Sequence, residues 1–168
     1  MTEPDTSIVR MATASDEDAL VELCRLHHEE SALRDGTGHP FPFSDDRVRE
    51  LLQRAIVRQR NSPDAGQSYC GVIGHVNNLQ AAIYLTREMV WYSDRPILKE
   101  VFAIVLPEHR KSQHARCLTA FSKIVAACLE RTLVAEVTVQ RAEARERYYA
   151  RNYGGERVGS FYAFDPEV

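Results

Sequence analysis

The chain carries the segment ILKEVFAIVL at residues 97–106 and, directly after it, the segment PEHRKSQHA at residues 107–115. The first segment is dominated by aliphatic, β-branched and aromatic residues, a composition typical of a buried strand. Beyond the second segment, apolar side chains recur at helical spacing, at Leu118, Phe121, Val125, Cys128 and Leu129. These patterns predict a strand, a basic turn and an amphipathic helix in direct succession.

The turn has the chemistry of a phosphate-binding site. Arg110 and Lys111 provide positive charge, and the first N–H groups of a helix have no intrahelical acceptors. The helix dipole adds partial positive charge at the same place. We therefore expect a diphosphate to bind at residues 110–115, which are Arg110, Lys111, Ser112, Gln113, His114 and Ala115.

The rest of the sequence contains further strand and helix patterns, with a tight turn expected at Asn77-Asn78. The predicted strands are Ile8–Met11, Tyr69–His75, Gln80–Val90, Ile97–Leu106, Leu133–Val139 and Val158–Phe164, and the predicted helices follow Thr13–Asp16 and cover Ser44–Arg60, Gln113–Leu129 and Ala142–Arg151. The order β-αα-βββ-α-β-α-β predicts one α/β (α+β) domain over residues 1–168, a mixed sheet with helices on both faces.

Composition narrows the class of protein. The net charge of −3 comes from interspersed acidic and basic residues, so no broad basic face indicates a nucleic-acid partner. The four cysteines form no Cys-x-x-Cys pair, which suits reduced thiols in the cytoplasm. No apolar run approaches membrane-spanning length, and the polar N-terminus is unlike a signal peptide. We expect a soluble cytoplasmic protein without membrane partners.

Two motifs resemble those of the GCN5-related N-acetyltransferase (GNAT) superfamily. The family's acyl-CoA motif is roughly Arg/Gln-x-x-Gly-x-Gly/Ala; Arg110 and Ala115 match its ends, and Gln113 stands where the central Gly would be. Residues 148–159 resemble the family's ending, Tyr-x-x-x-Gly-Phe-x-x-x-Gly, with slightly longer spacing. The resemblance implies a mostly antiparallel central sheet, and acetyl-CoA as co-substrate.

The resemblance also implies catalytic roles. The attacking amine is protonated at neutral pH and must lose a proton, and the family often places a catalytic Glu where this chain has Glu100. A Tyr of the family protonates the departing thiolate, and here either Tyr148 or Tyr149 would serve. Backbone amides near Ile104 and Val105 would pair with the pantetheine arm and polarise the thioester carbonyl.

The resemblance also implies that the acceptor lies between the loop joining the first two helices and the strands facing it. Aromatic walls for this groove are available from Phe41, Phe43, Trp91 and Tyr92. The family's acceptors include small amines, amino acids and proteins, so the groove would take a small-molecule or peptide amine.

Together these features predict an N-acetyltransferase that moves acetyl from acetyl-CoA to a primary amine by direct attack in a ternary complex. Two alternatives remain open, a degenerate GNAT-fold binding or scaffold module and an enzyme for longer acyl-CoA. No metal is expected, because the segment from His27 to Glu30 fits no zinc spacing. Dimers are frequent in the family, so the resemblance allows a homodimer.

Overall fold

The computed structural model describes residues 8–35, 42–61, 68–91, 93–135 and 142–153. Short 3₁₀ turns cover Ala14–Asp16 and Pro107–His109. The strands are β1 (Arg10–Met11), β2 (Ser68–His75), β3 (Asn78–Met89), β4 (Pro96–Val105) and β5 (Leu133–Ala135), and the helices are α1 (Glu17–Asp35), α2 (Asp45–Asn61), α3 (His114–Cys128) and α4 (Ala142–Tyr153).

The five strands form one sheet in sequence order. Pairing is antiparallel from β1 to β4, and β5 lies parallel to β4. This confirms the expected mixed, mostly antiparallel sheet. The predicted last strand, Val158–Phe164, lies outside the described residues.

Helices cover both faces of the sheet. One core joins α1 and α2 to the sheet, with Leu20, Leu52 and Tyr84 fully buried in it. The other core packs α3 against the opposite face through residues such as Leu118 and Ile83. Of the predicted α3 stripe, Cys128 is exposed, because it lies in the last turn of the helix.

A β-bulge in β4 determines which side chains face α3. Tyr84 pairs with Phe102 and Leu85 pairs with Glu100, so Val101 is an extra residue on β4. Leu85 belongs to the core under α3, whereas Tyr84 belongs to the core under α1 and α2. The bulge therefore lets Glu100 share the α3 face with Ala103 and Val105, although an unbroken strand would place them on opposite faces.

The hairpin between β2 and β3 differs slightly from the prediction. His75 pairs with Asn78, so the loop consists of Val76 and Asn77, one residue earlier than expected. Asn77 has a φ of +69°, a left-handed conformation that Asn tolerates better than most residues. No described helix is long and apolar enough to cross a membrane.

An ion pair with a buried carboxylate fixes the entry into α1. The Asp16 carboxylate is fully buried and accepts hydrogen bonds from both terminal nitrogens of Arg10, at 2.8 and 2.6 Å. It also accepts from the backbone N–H and hydroxyl of Thr13. The Arg10 hydrogen bonds lower the pKa of Asp16 to about 2, although burial acts in the opposite direction.

Candidate active site

The basic turn leads into the N-terminus of α3. The Ser112 hydroxyl donates to the His109 carbonyl at 2.6 Å and accepts from the His114 N–H at 3.1 Å. The first bond of the helical ladder runs from Cys117 N–H to the Gln113 carbonyl. The N–H groups of Ala115 and Arg116 come before that bond, and they point out of the helix end as donors for an anion.

The other predicted residues of the turn are either exposed to solvent or in contact with another side chain. Lys111 and Gln113 are exposed at the helix entrance. The His114 ring contacts the Gln80 side chain, with 2.7 Å between Nε2 and Oε1. Burial, together with the neighbouring His109, lowers the pKa of His114, so this ring is mostly neutral at neutral pH. Lys111 thus provides an exposed cation at the helix entrance.

Arg110 is turned away from the helix entrance, towards α1 and the end of β4. Its guanidinium pairs with both carboxylate oxygens of Glu30, with 2.6 Å between Nη1 and Oε1. Its Nε donates to the Val105 carbonyl at 3.1 Å. Sequence reasoning missed Glu30, which lies 80 positions earlier in the chain.

The register of β4 selects which backbone groups face away from β3. The Leu106 N–H donates to the Gln80 carbonyl at 3.0 Å, so Leu106 and, by alternation, Ile104 direct their backbone groups towards β3. Ala103 and Val105 direct theirs to the other edge of β4. Ile104 is therefore turned away from the edge where the predicted amide donors would act, whereas the backbone groups of Val105 and Ala103 face that edge.

A pocket of about 140 Å³ opens where β4, α3 and α4 meet. It contains small side chains at the end of the strand and the start of the helix, and two aromatic side chains from α4. The lining residues are Ala103, Val105, Ala115, Leu118, Thr119, Tyr148 and Tyr149. The structure thus places both candidate tyrosines beside the predicted cofactor turn.

The two tyrosines have different partners. Tyr149 donates its hydroxyl proton to Glu100, with 2.5 Å between the oxygens, and Glu100 is only 2% exposed. The Tyr148 and Thr119 hydroxyls lie 3.0 Å apart. Thr119 donates its single proton to the Ala115 carbonyl, so Tyr148 is the donor in this pair. Burial raises the pKa of Tyr148, which keeps its phenol protonated at neutral pH.

Of the four predicted acceptor residues, the structure describes Phe43 and Trp91, and neither lies at this pocket. Phe43 packs with the core under α1 and α2, and its ring contacts His28 and the Arg25 guanidinium. Trp91 follows the end of β3 and is 93% exposed. Neither residue lines the pocket. Phe43 packs against the core on the other face of the sheet. Phe41 and Tyr92 lie outside the described residues.

Among the described residues, no three His, Cys, Asp or Glu side chains lie close enough to hold a metal ion.

Solved structures similar to this chain include several acetyltransferases. An acetyltransferase of Trypanosoma brucei has a TM-score of 0.65 at 14% identity, over 94% of this chain and 97% of its own. For an aminoglycoside 6'-N-acetyltransferase of Acinetobacter haemolyticus the TM-score is 0.62 at 13% identity, over 95% and 98%. An integron cassette protein from the mobile metagenome of Cole Harbour Salt Marsh has a TM-score of 0.69 at 18% identity, over 97% and 92%.

No protein-family model matches the sequence, and no curated protein matches it. At the identities of the solved structures, the likeness concerns the fold. This likeness in fold agrees with the sequence motifs and with the observed order and direction of the strands. The chain has the fold of the GNAT acetyltransferases.

Proposed function

We propose that this chain is an N-acetyltransferase that transfers acetyl from acetyl-CoA to a primary amine in a ternary complex. The observation that carries the proposal is the buried Glu100 carboxylate, hydrogen-bonded to a tyrosine that lines a pocket beside a helix N-terminus. Such a pairing brings a proton acceptor, a proton donor and anion-binding amides into one site. The acetyltransferases among the similar structures support acetyl transfer as the general reaction.

The residues around the pocket fit an acyl-CoA. The exposed Lys111 and the amides of Ala115 and Arg116 are suited to a diphosphate, and the small side chains of Ala103 and Ala115 leave room for a narrow arm. Val105 and Ala103 present backbone groups on the pocket-side edge of β4. When bound, acetyl-CoA supplies the thioester whose acyl carbon an amine attacks.

Glu100 and Tyr149 form the proton-accepting side of the site. At 2% exposure, Glu100 is too deeply buried to meet an amine directly, whereas Tyr149 lines the pocket. The Tyr149 oxygen takes the proton of the amine while the Tyr149 proton passes to the Glu100 carboxylate. One N–H bond is broken and one O–H bond forms at Glu100, with Tyr149 unchanged overall.

Tyr148 is the proton-donating side. Its raised pKa keeps the proton on the phenol at neutral pH, and its hydroxyl is held by Thr119 at the pocket wall. When the thiolate leaves, this proton turns from the Thr119 oxygen to the sulfur, and the S–H bond forms as the O–H bond of Tyr148 breaks. We therefore propose Tyr148, rather than Tyr149, as the acid.

The size of the pocket favours a short acyl group. The described residues line a space of about 140 Å³ between β4, α3 and α4. A long acyl chain would need a channel beyond this volume. We therefore propose acetyl as the transferred group and, by analogy with the aminoglycoside acetyltransferase above, a small-molecule amine as an acceptor class alongside peptides.

Calorimetric titration with acetyl-CoA, followed by thiol release with a panel of amines, tests the proposal. We expect binding in the micromolar range, and a drop in kcat of about 10²- to 10⁴-fold for Tyr148→Phe at similar affinity for acetyl-CoA. Tyr84→Phe is the matched control, because Tyr84 is a buried phenol on the other face of the sheet. A chain that binds no acyl-CoA would instead be a scaffold module.

A further inference from the structure

The carboxylate of Glu30 pairs with the guanidinium of Arg110, which is the cation that the motif offers to the diphosphate. Glu30 lies on α1, and both of its oxygens accept hydrogen bonds from the terminal nitrogens of Arg110. The remaining side-chain donor, Nε, is bound to the Val105 carbonyl. All three nitrogens of the guanidinium are therefore engaged within the protein.

We infer that Glu30 limits the affinity of this chain for CoA, by competing with the diphosphate of the ligand for Arg110. The inference rests on the proposed function. A guanidinium fork binds carboxylate and phosphate with the same bidentate geometry, so the two anions exclude each other on one face of the fork. Ligand binding at Arg110 must first break the pair with Glu30.

The pair also covers the edge of β4 that faces the pocket. Through Nε, Arg110 holds the carbonyl of Val105, whose backbone groups point away from β3. Arg110 thus connects α1 to the end of β4. Releasing Glu30 frees the guanidinium to turn towards the helix entrance, where the amides of Ala115 and Arg116 and the ammonium of Lys111 can bind the same anion.

Charge adds to the competition. A carboxylate beside a bound diphosphate repels it, and replacing Glu30 with Gln removes both the competitor and the repulsion. Because the Arg110 and Glu30 side chains are 35% and 23% exposed, solvent screens the pair and the effect is moderate. We expect CoA to bind Glu30→Gln about three- to tenfold more tightly than the unaltered protein.

Calorimetric titration with CoA tests the inference on Glu30→Gln, with Glu29→Gln as the control. Glu29 is the exposed neighbour on the same helix, and its substitution changes the net charge by the same amount. Far-UV circular dichroism verifies that each variant is folded. Tighter binding by Glu30→Gln, with Glu29→Gln within about twofold of the unaltered protein, supports competition at Arg110.

Arg110→Gln and the double variant Glu30→Gln/Arg110→Gln complete the cycle. If Glu30 acts chiefly by competing for Arg110, the gain from Glu30→Gln falls, once Arg110 is gone, to the smaller part that comes from charge repulsion. An undiminished gain in the Arg110→Gln background, an equal gain in Glu29→Gln, or weaker binding by Glu30→Gln overturns the inference.

The titrations also separate this inference from the proposed function. If the unaltered protein binds CoA and Glu30→Gln binds it no more tightly, the result supports the acyl-CoA site and overturns the role of Glu30. Binding by Glu30→Gln alone supports both, because the competitor then masks a functional site. Absence of binding in every variant overturns both.

Discussion

Removing the hydroxyl of Tyr149 tests the contact on which the proposed site depends. Tyr149→Phe keeps the ring and deletes the proton donated to Glu100, a buried carboxylate at 2% exposure. A hydrogen bond to a charged group contributes about 1.5–3 kcal/mol, because a buried charge that loses a donor is not compensated by water. We expect the free energy of unfolding to fall by that amount.

Tyr148→Phe provides the matched comparison on the same helix. Its hydroxyl donates to Thr119, a neutral acceptor, and a neutral hydrogen bond contributes about 0.5–1.5 kcal/mol. Tyr149→Phe should therefore cost about 1 kcal/mol more stability than Tyr148→Phe. In a chain of this size the melting temperature should differ by about 2–4 °C.

Urea denaturation followed by far-UV circular dichroism measures both variants. Trp91 is 93% exposed, so its fluorescence would report poorly on the core. In a Glu100→Gln background the acceptor is neutral, and Tyr149→Phe should then cost no more than Tyr148→Phe does in the unaltered protein. Equal losses for the two tyrosines in the unaltered protein would refute the charged hydrogen bond to Glu100.

Three further predictions concern the scaffold. Asp16→Asn should lower the free energy of unfolding by roughly 2 kcal/mol at pH 7, because the pKa of Asp16 is about 2 in the folded protein. In urea titrations this difference from the unaltered protein should shrink as the pH falls from about 4 to 2, since the Asp16 carboxylate of the folded protein then becomes protonated. Gly71→Ala should lower the free energy of unfolding by about 1–3 kcal/mol, because the added Cβ would lie 2.8 Å from the Phe121 ring. Its melting temperature should fall accordingly. Tyr84→Phe should lower the free energy of unfolding in urea titrations by about 1 kcal/mol and leave turnover unchanged, since it removes a hydrogen bond to an α2 carbonyl on the other face of the sheet.

Local patterns were sufficient for the order of helices and strands. The predicted second helix, Ser44–Arg60, corresponds to α2 at Asp45–Asn61, since polar and apolar residues alternate there with a helical period. The hairpin turn was placed one residue late, at Asn77-Asn78. Residue types indicate that a turn is present, but cross-strand packing sets which residues pair across it.

The candidate site could be predicted only as separate residues. Glu100, Tyr148 and Tyr149 were named from motif and chemistry, without any basis for dividing the roles of the tyrosines. The partners of the two tyrosines follow from the position of α4 beside α3 and β4. There the Tyr149 hydroxyl meets Glu100 and the Tyr148 hydroxyl meets Thr119. Their catalytic roles stay predictions.

The sequence by itself determined the strand, the basic turn and the helix of residues 97–129, because neighbouring residues specify those elements through spacing and local hydrogen bonding. Only the tertiary structure decided that a bulge at Val101 turns Glu100 to the face of the pocket, and that Glu30 holds Arg110. Both depend on residues far apart in the chain, since the register of β3 against β4 and the packing of α1 beside the turn are properties of the assembled sheet and helices.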